Sequence, residues 1–146
     1  MKIYIDTCCY NRPYDDQTQE RISAESAAIV SIIELCKIVG YPIVGSLVLL
    51  SEISEIKNVE KRRFIEEFYN TSVNEEIPLT GDIIKHARLL TQTQNLDDFD
   101  GLHLAAAIAA GADVLLTTDD DFEKRCSGLS LKIKVMNPVN FGEREV

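Results

Sequence analysis

Residues 97–122 read DDFDGLHLAAAIAAGADVLLTTDDDF, and this stretch decides the fold. Asp97 or Asp98 stands where a helix N-cap belongs, just ahead of an apolar run. LHLAAAIAA reads as a helix of small side chains that can pack closely against a sheet. Gly111 closes it, as a glycine past a helix end does. Asp113–Thr118 follows at once as a short apolar run and reads as a central, buried strand. Asp119 ends that run, and the chain from Asp119 to about Cys126 reads as a short helix or turn.

The same alternation extends outward. Residues 2–6 form a first strand that stops at Asp6. TCCYNRPYDDQTQ, residues 7–19, reads as a polar loop with Asn11 and Pro13 as turn residues. From Glu20 to Val39 the positions Ile22, Ala24, Ala27, Ile29, Val30, Ile33, Leu35 and Ile38 fit a helical period, and Gly40 ends it. Tyr41–Gly45 is a second strand. Ser46 is placed to cap a helix running through Glu52 to about Lys57. A further helix over Val59–Asn70 is expected to turn Phe64, Ile65 and Phe68 inward. Val73–Leu79 holds a short strand, Thr80 caps a helix to about Gln94, Lys132–Val135 is a last strand, and NPVNF closes the chain. Strands alternating with helices imply a parallel sheet covered on both faces, joined by right-handed connections. The expected architecture is a three-layer α/β/α sandwich with a central parallel sheet, built as one domain over residues 1–146.

Four acids stand out in this frame: Asp6, Glu52, Asp100 and Asp119. Asp6 and Asp119 each end an apolar strand, and ligands of open parallel sheets bind beyond the carboxyl ends of strands. Either aspartate could also be a turn or cap residue. If the two strands are neighbours, both carboxylates come within reach of one cation. Glu52 sits in the apolar context VLLSEISEI, where a buried glutamate needs a partner, although it could point to solvent as Glu55 does. Asp100 lies in the first turn of its helix, where an acid is also favoured by the helix dipole. Asp121, two residues past Asp119, is a further candidate ligand in a more exposed position. Thr117 could hydrogen-bond a carboxylate, and it is equally a good strand residue. His103 follows Asp100 by one helical turn and could reach the site rim, but reads better as a partly buried histidine facing the sheet. His86 reads as a surface residue. Carboxylates without a His or Cys ligand set favour a hard cation, Mg²⁺ or Mn²⁺.

Composition bounds the partners. The chain has 146 residues, 45% hydrophobic and 27% charged, and a net charge of −9. That charge argues against strong general affinity for nucleic acid. Eight acids in or beside the expected site (Asp6, Glu52, Asp97, Asp98, Asp100, Asp119, Asp120, Asp121) account for nearly all of it. Lys57, Lys61, Arg62 and Arg63, with Arg12 near the first strand, could form a modest backbone-contacting surface or a solvated helix face. The four cysteines, Cys8, Cys9, Cys36 and Cys126, lack zinc spacing and read as reduced packing residues. No stretch approaches a membrane helix of about 18 apolar residues, and MKIYID lacks a signal peptide's apolar region. A soluble, cytoplasmic protein is expected.

IYIDT, SLVLLSE with Ser46 six residues before Glu52, and DGLHLAAAIAAGADVLLTTDDDF occur in the order and spacing of the PIN domain nucleases. Over nearly its whole length the chain resembles that family, in particular the VapC-like toxins of toxin–antitoxin pairs. The opening TCCYNRPYDD departs from the toxin pattern. The resemblance implies that Asp6, Glu52, Asp100 and Asp119 are the catalytic acids. It also implies metal held by Asp6, Asp100 and Asp119, with Glu52 and Asp121 as further candidate ligands and Thr117 at the family's hydroxyl position. The implied activity is endoribonuclease cleavage of RNA phosphodiester bonds by a metal-activated water, with Mg²⁺ or Mn²⁺ as cofactor. A homodimer and a small antitoxin partner are implied as well. The alternative is a PIN-like module that binds RNA or protein without turnover. An aspartyl phosphatase commonly needs a second aspartate where Cys8 stands, no convincing receiver-domain acid and lysine set occurs, and neither glycine-rich nucleotide loop is present.

Overall fold

The computed structural model describes residues 1–128 and 131–145. Five strands, β1 Ile3–Ile5, β2 Ile43–Ser46, β3 Glu75–Ile77, β4 Val114–Leu116 and β5 Lys134–Met136, form one sheet in the order β3-β2-β1-β4-β5. Every neighbouring pair is parallel. Ile3, Tyr4 and Ile5 of β1 and Leu115 and Leu116 of β4 are fully buried. Strands sealed on both faces by helices read as unbroken apolar runs, which is why IYI and VLL do not alternate.

The strand order reverses at β1. The chain fills β2 and β3 on one side, then crosses back to place β4 and β5 on the other. Ile5 pairs with Leu116, so Asp6 and Thr117 leave the sheet side by side. The crevice of a doubly wound sheet opens at such a switch point, beyond the carboxyl ends of the strands.

Helices α1 Thr7–Asn11, α2 Glu20–Val39, α3 Leu47–Ser54, α4 Val59–Ser72, α5 Gly81–Gln94, α6 Asp98–Ala109, α7 Asp120–Cys126 and α8 Pro138–Glu145 cover the sheet. The expected caps form. Ser46 Oγ accepts from the Leu49 amide, Thr80 from the Ile83 amide, and Asp97, not Asp98, from the Asp100 amide. Gly40 takes the left-handed conformation at φ 80°, open to glycine at little cost. Gly101 lets α6 lie against α5, because a Cβ there would meet Thr91 and the Ala87 carbonyl.

Three expectations are corrected. Residues 7–14 are not a loop but α1 followed by a 3-10 turn over Arg12–Tyr14. The Asp6 carboxylate accepts from the first amide of α1 and so starts the helix that its turn propensity concealed. The inner face of α2 is Glu25, Ser26, Ile29, Ile32, Ile33 and Cys36, while Val30 and Ile38 are exposed. On α4, Ile65 and Tyr69 are buried and Phe64 is exposed. All four cysteines are free thiols. No helix among the described residues is long and apolar enough to cross a membrane.

Candidate active site

The cleft at the switch point has a volume of about 440 Å³, and Asp6, Glu52, Asp100 and Asp119 all line it. Asp97, Asp98, Thr7, Cys8 and Asn11 complete its polar wall. Four acids from four separate elements therefore meet in one place. Asp121 does not reach this wall. It is exposed, and its amide serves the α7 cap instead.

Asp6 is held from several directions. Oδ1 accepts from the Thr7 amide at 2.8 Å. Oδ2 accepts from the Thr117 hydroxyl at 2.9 Å and from the Cys8 thiol at 3.4 Å. Thr117 Oγ1 in turn accepts from the Asp119 amide at 3.1 Å. One buried hydroxyl thus couples the two aspartates that end β1 and begin α7. Asp119 Oδ1 accepts from the amides of Asp121 and Phe122 at 3.0 and 3.2 Å. Asp119 is both a helix cap and a cleft residue, and its Oδ2 accepts no hydrogen bond among the described residues.

Asp100 differs. Its carboxylate accepts no hydrogen bond among the described residues, while its amide is taken by Asp97. Partial burial, then the charges of Asp97, Asp6 and Asp119, push its pKa up to about 8. Like charges gathered in a half-dry cleft favour the protonated acid. A cation placed among them would reverse that preference.

Glu52 lies on α3, half-buried, and its Oε1 is 3.0 Å from His103 Nε2. Burial alone would raise the Glu52 pKa, but the hydrogen bond and charge of His103 outweigh it and the net shift is downward. His103 is 1% exposed. Its Nδ1 lies 2.8 Å from the Tyr4 hydroxyl, and its Nε2 is 3.4 Å from Asp6 Oδ1. Burial opposes a charged imidazole there, yet Asp6 and Glu52 carry the balance upward. His103 is therefore more central than a histidine packed on the sheet. The i, i+3 spacing from Asp100 was the available signal, because it puts both residues on one face of α6.

The donor set suits a divalent cation. Ligand atoms of Asp6, Glu52 and His103 lie within 4.8 Å of one another. Free carboxylate oxygens of Asp100 and Asp119 face the same cleft. These are mostly hard oxygen donors, as Mg²⁺ and Mn²⁺ require.

A buried polar cluster flanks the site that the sequence did not reveal. Glu25 of α2, 1% exposed, accepts from Arg12 Nε at 2.9 Å, Arg21 Nε at 3.3 Å and Asn137 Nδ2 at 2.6 Å. Arg21 also donates to the Thr118 carbonyl at 2.9 Å and to both oxygens of Asp120 at 2.8 Å. The turn carrying Asp119 is thereby anchored from α2.

Solved structures with this architecture are distant in sequence. VapBC2 from Rickettsia felis, bound to a DNA fragment from its promoter, aligns with a TM-score of 0.62 and 17% identity over 94% of this chain and 98% of its own. VapC20 of Mycobacterium tuberculosis, a sarcin–ricin loop cleaving toxin, aligns at 0.59 and 16% over 90% and 98%. FitAcB from Neisseria gonorrhoeae aligns at 0.56 and 18% over 93% and 97%. Comparison with curated proteins gives no match. The PIN domain family matches residues 3–127, which hold β1 through α7 and every acid of the cleft, and the chain belongs to that family.

Proposed function

We propose that this protein is a Mg²⁺- or Mn²⁺-dependent endoribonuclease of the VapC toxin type. The observation that carries this reading is the meeting of Asp6, Glu52, Asp100 and Asp119 in one cleft at the switch point of the sheet. Asp6, Asp100 and Asp119 would hold the metal, and Glu52 would ligate it or orient a water. When bound, the cation supplies Lewis-acid activation of water and offsets charge on phosphate oxygens.

The chain's own groups prepare that chemistry. Thr117 fixes Asp6 and Asp119 relative to each other. His103 holds one oxygen of Glu52, a residue that lines the cleft. Asp100, without a hydrogen-bond donor, is the carboxylate that most needs a cation. Water attack at phosphorus forms the new P–O bond and the bond to the 3′ oxygen breaks, which yields a 5′-phosphate and a 3′-hydroxyl.

The RNA-cleaving description of VapC20 favours RNA as substrate. Likeness to VapBC2 and FitAcB supports a small antitoxin partner. A homodimer and a cytoplasmic location complete the proposal. The test is cleavage of single-stranded and structured RNAs by purified protein with EDTA, Mg²⁺ or Mn²⁺. Cleavage should require metal and vanish in Asp6→Asn and Asp119→Asn. Metal-dependent cleavage retained in both variants would sink the assignment, and RNA binding without cleavage by the wild type would favour the non-catalytic module.

A further inference from the structure

Beneath Glu52 runs a chain of buried hydrogen bonds that ends in the core. Ser46 Oγ lies 2.8 Å from the Tyr4 hydroxyl, which lies 2.8 Å from His103 Nδ1, while His103 Nε2 lies 3.0 Å from Glu52 Oε1. Ser46, Tyr4 and His103 are each no more than 1% exposed, so water is excluded from this chain. Ser46 Oγ also accepts the Leu49 amide at 3.1 Å as the cap of α3, the helix that carries Glu52.

Counting hydrogens gives the chain a direction. Ser46 and Tyr4 have one hydroxyl hydrogen each, and a neutral imidazole has one N–H. If Nδ1 carried a hydrogen, in the neutral ring or in the imidazolium that Asp6 and Glu52 favour, it would donate to Tyr4 and Tyr4 would donate to Ser46. The Ser46 hydrogen would then have no acceptor among the described residues. In the neutral ring the bare Nε2 lone pair would meanwhile face Glu52 at 3.0 Å and Asp6 at 3.4 Å. In the opposite sense Ser46 donates to Tyr4, Tyr4 donates to Nδ1, and the Nε2 hydrogen goes to Glu52. Every donor is then used and no lone pair faces a carboxylate, as a sealed polar network requires.

We propose that His103 is a positioning residue for Glu52, locked by Ser46 and Tyr4 as the Nε2–H tautomer, and that it donates to the carboxylate instead of ligating metal. The proposal runs against the simplest reading of the geometry, in which Asp6, Glu52 and His103 form a three-ligand site. Nε2 cannot both donate its hydrogen to Glu52 and offer a lone pair to a cation. A carboxylate held by a buried donor keeps its second oxygen at a fixed angle to the cleft, as outer-shell partners of metal ligands do. The catalytic consequence rests on the nuclease reading. The tautomer and the ligand identity do not, and both are measured without RNA.

The experiment uses full-length protein labelled with ¹⁵N-histidine, whose only other histidine is His86. Long-range ¹H–¹⁵N correlation on the metal-free protein should show His103 with an unprotonated Nδ1 and a protonated Nε2. A hydrogen on Nδ1, in the neutral ring or in the imidazolium, would overturn the proposal. Mn²⁺ is then added and electron spin echo modulation is recorded. No directly bonded ¹⁵N coupling is expected, and a coupling that survives His86→Gln would also overturn it. Tyr4→Phe keeps the ring and removes the lock. It should give a mixture of tautomers and weaken Mn²⁺ binding by roughly tenfold. Unchanged tautomer and affinity in a folded Tyr4→Phe variant would refute the lock. If that variant does not fold, the wild-type spectra still decide. Protein that binds no Mn²⁺ fails the nuclease reading, while the metal-free spectrum continues to test the tautomer.

Discussion

At the scale of single residues, Asp100 makes the clearest demand on its surroundings. Its pKa of about 8, set first by burial and then by Asp97, Asp6 and Asp119, lies well above an unfolded aspartate near ~3.9. A carboxyl raised on folding contributes stability below the unfolded pKa and loses it as pH climbs through the folded value. The metal-free protein should therefore melt lower at pH 8.5 than at pH 6, and Asp100→Asn should narrow that gap. With saturating Mg²⁺ the gap should close, because the cation keeps Asp100 ionised at both pH values, as it is in the unfolded chain. Differential scanning calorimetry at both pH values, with EDTA or Mg²⁺, checks each arm; a wild type whose melting temperature ignores pH in EDTA refutes the account. Thr117 makes a second prediction at this scale. Thr117→Val keeps the shape and removes the hydroxyl that serves both Asp6 and Asp119. It should cost about 1–2 kcal/mol of stability, read from urea melts. Cleavage should fall by on the order of 10–100-fold, the usual effect of losing an outer-shell partner.

At the scale of elements, Glu25 joins α2 to segments far apart in the chain. Arg12 belongs to the turn after α1, Asn137 precedes α8, and Arg21 carries the contact on to Thr118 and Asp120. Removing a buried partner strands the charges around it, which costs roughly 3–5 kcal/mol. Glu25→Ala should approach that loss in urea denaturation, whereas Asp120→Ala, at the exposed end of the same network, should leave the urea midpoint nearly unchanged. Equal costs would show that Glu25 is an ordinary surface anchor. This cluster also marks where the sequence stopped being legible. Strands, most caps and the four acids follow from local pattern: an apolar run, a Ser or Thr before a helix, an acid after a strand. Glu25 and Ser26 fall on the inner face of α2 against the apolar period, because the partner Asn137 stands 112 residues away. Residues 7–14 looked like a loop because Asn11 and Pro13 are turn residues, yet Asp6 caps a helix there. His103 carried a visible signal in its spacing from Asp100, but its partners Tyr4 and Glu52 come from elements that only the sheet order brings together.

At the scale of the whole molecule, charge limits how the proposed RNA substrate could be held. Of a basic set that could have formed a phosphate-binding face, Arg12 is engaged by Glu25 and Asp15, Lys61 reaches Asp15 at 3.4 Å, and Arg62 lies 3.8 Å from Glu66. Lys57 and Arg63 are exposed and carry no ion pair among the described residues. With a net charge of −9, and only Lys57 and Arg63 of this set unpaired among the described residues, this face of the protein has few free cations to displace counterions from a nucleic acid strand. On the proposed function, binding would then draw mainly on a metal-filled cleft and on shape. Affinity for single-stranded RNA, measured by fluorescence anisotropy with Ca²⁺ in place of Mg²⁺ to hold back cleavage, should fall only gently with salt. A single strand loses about 0.7 in log K per log salt for each neutralised phosphate. A strand laid on this face, with its two free cations, therefore has a slope with magnitude of about 1.4. Lys57→Ala with Arg63→Ala should flatten that slope while leaving the metal-dependent part of the affinity in place. A slope several times steeper, unchanged in the double variant, would show that the strand lies on another face of the molecule, and that the acidic cleft is reached from a side that α4 does not border.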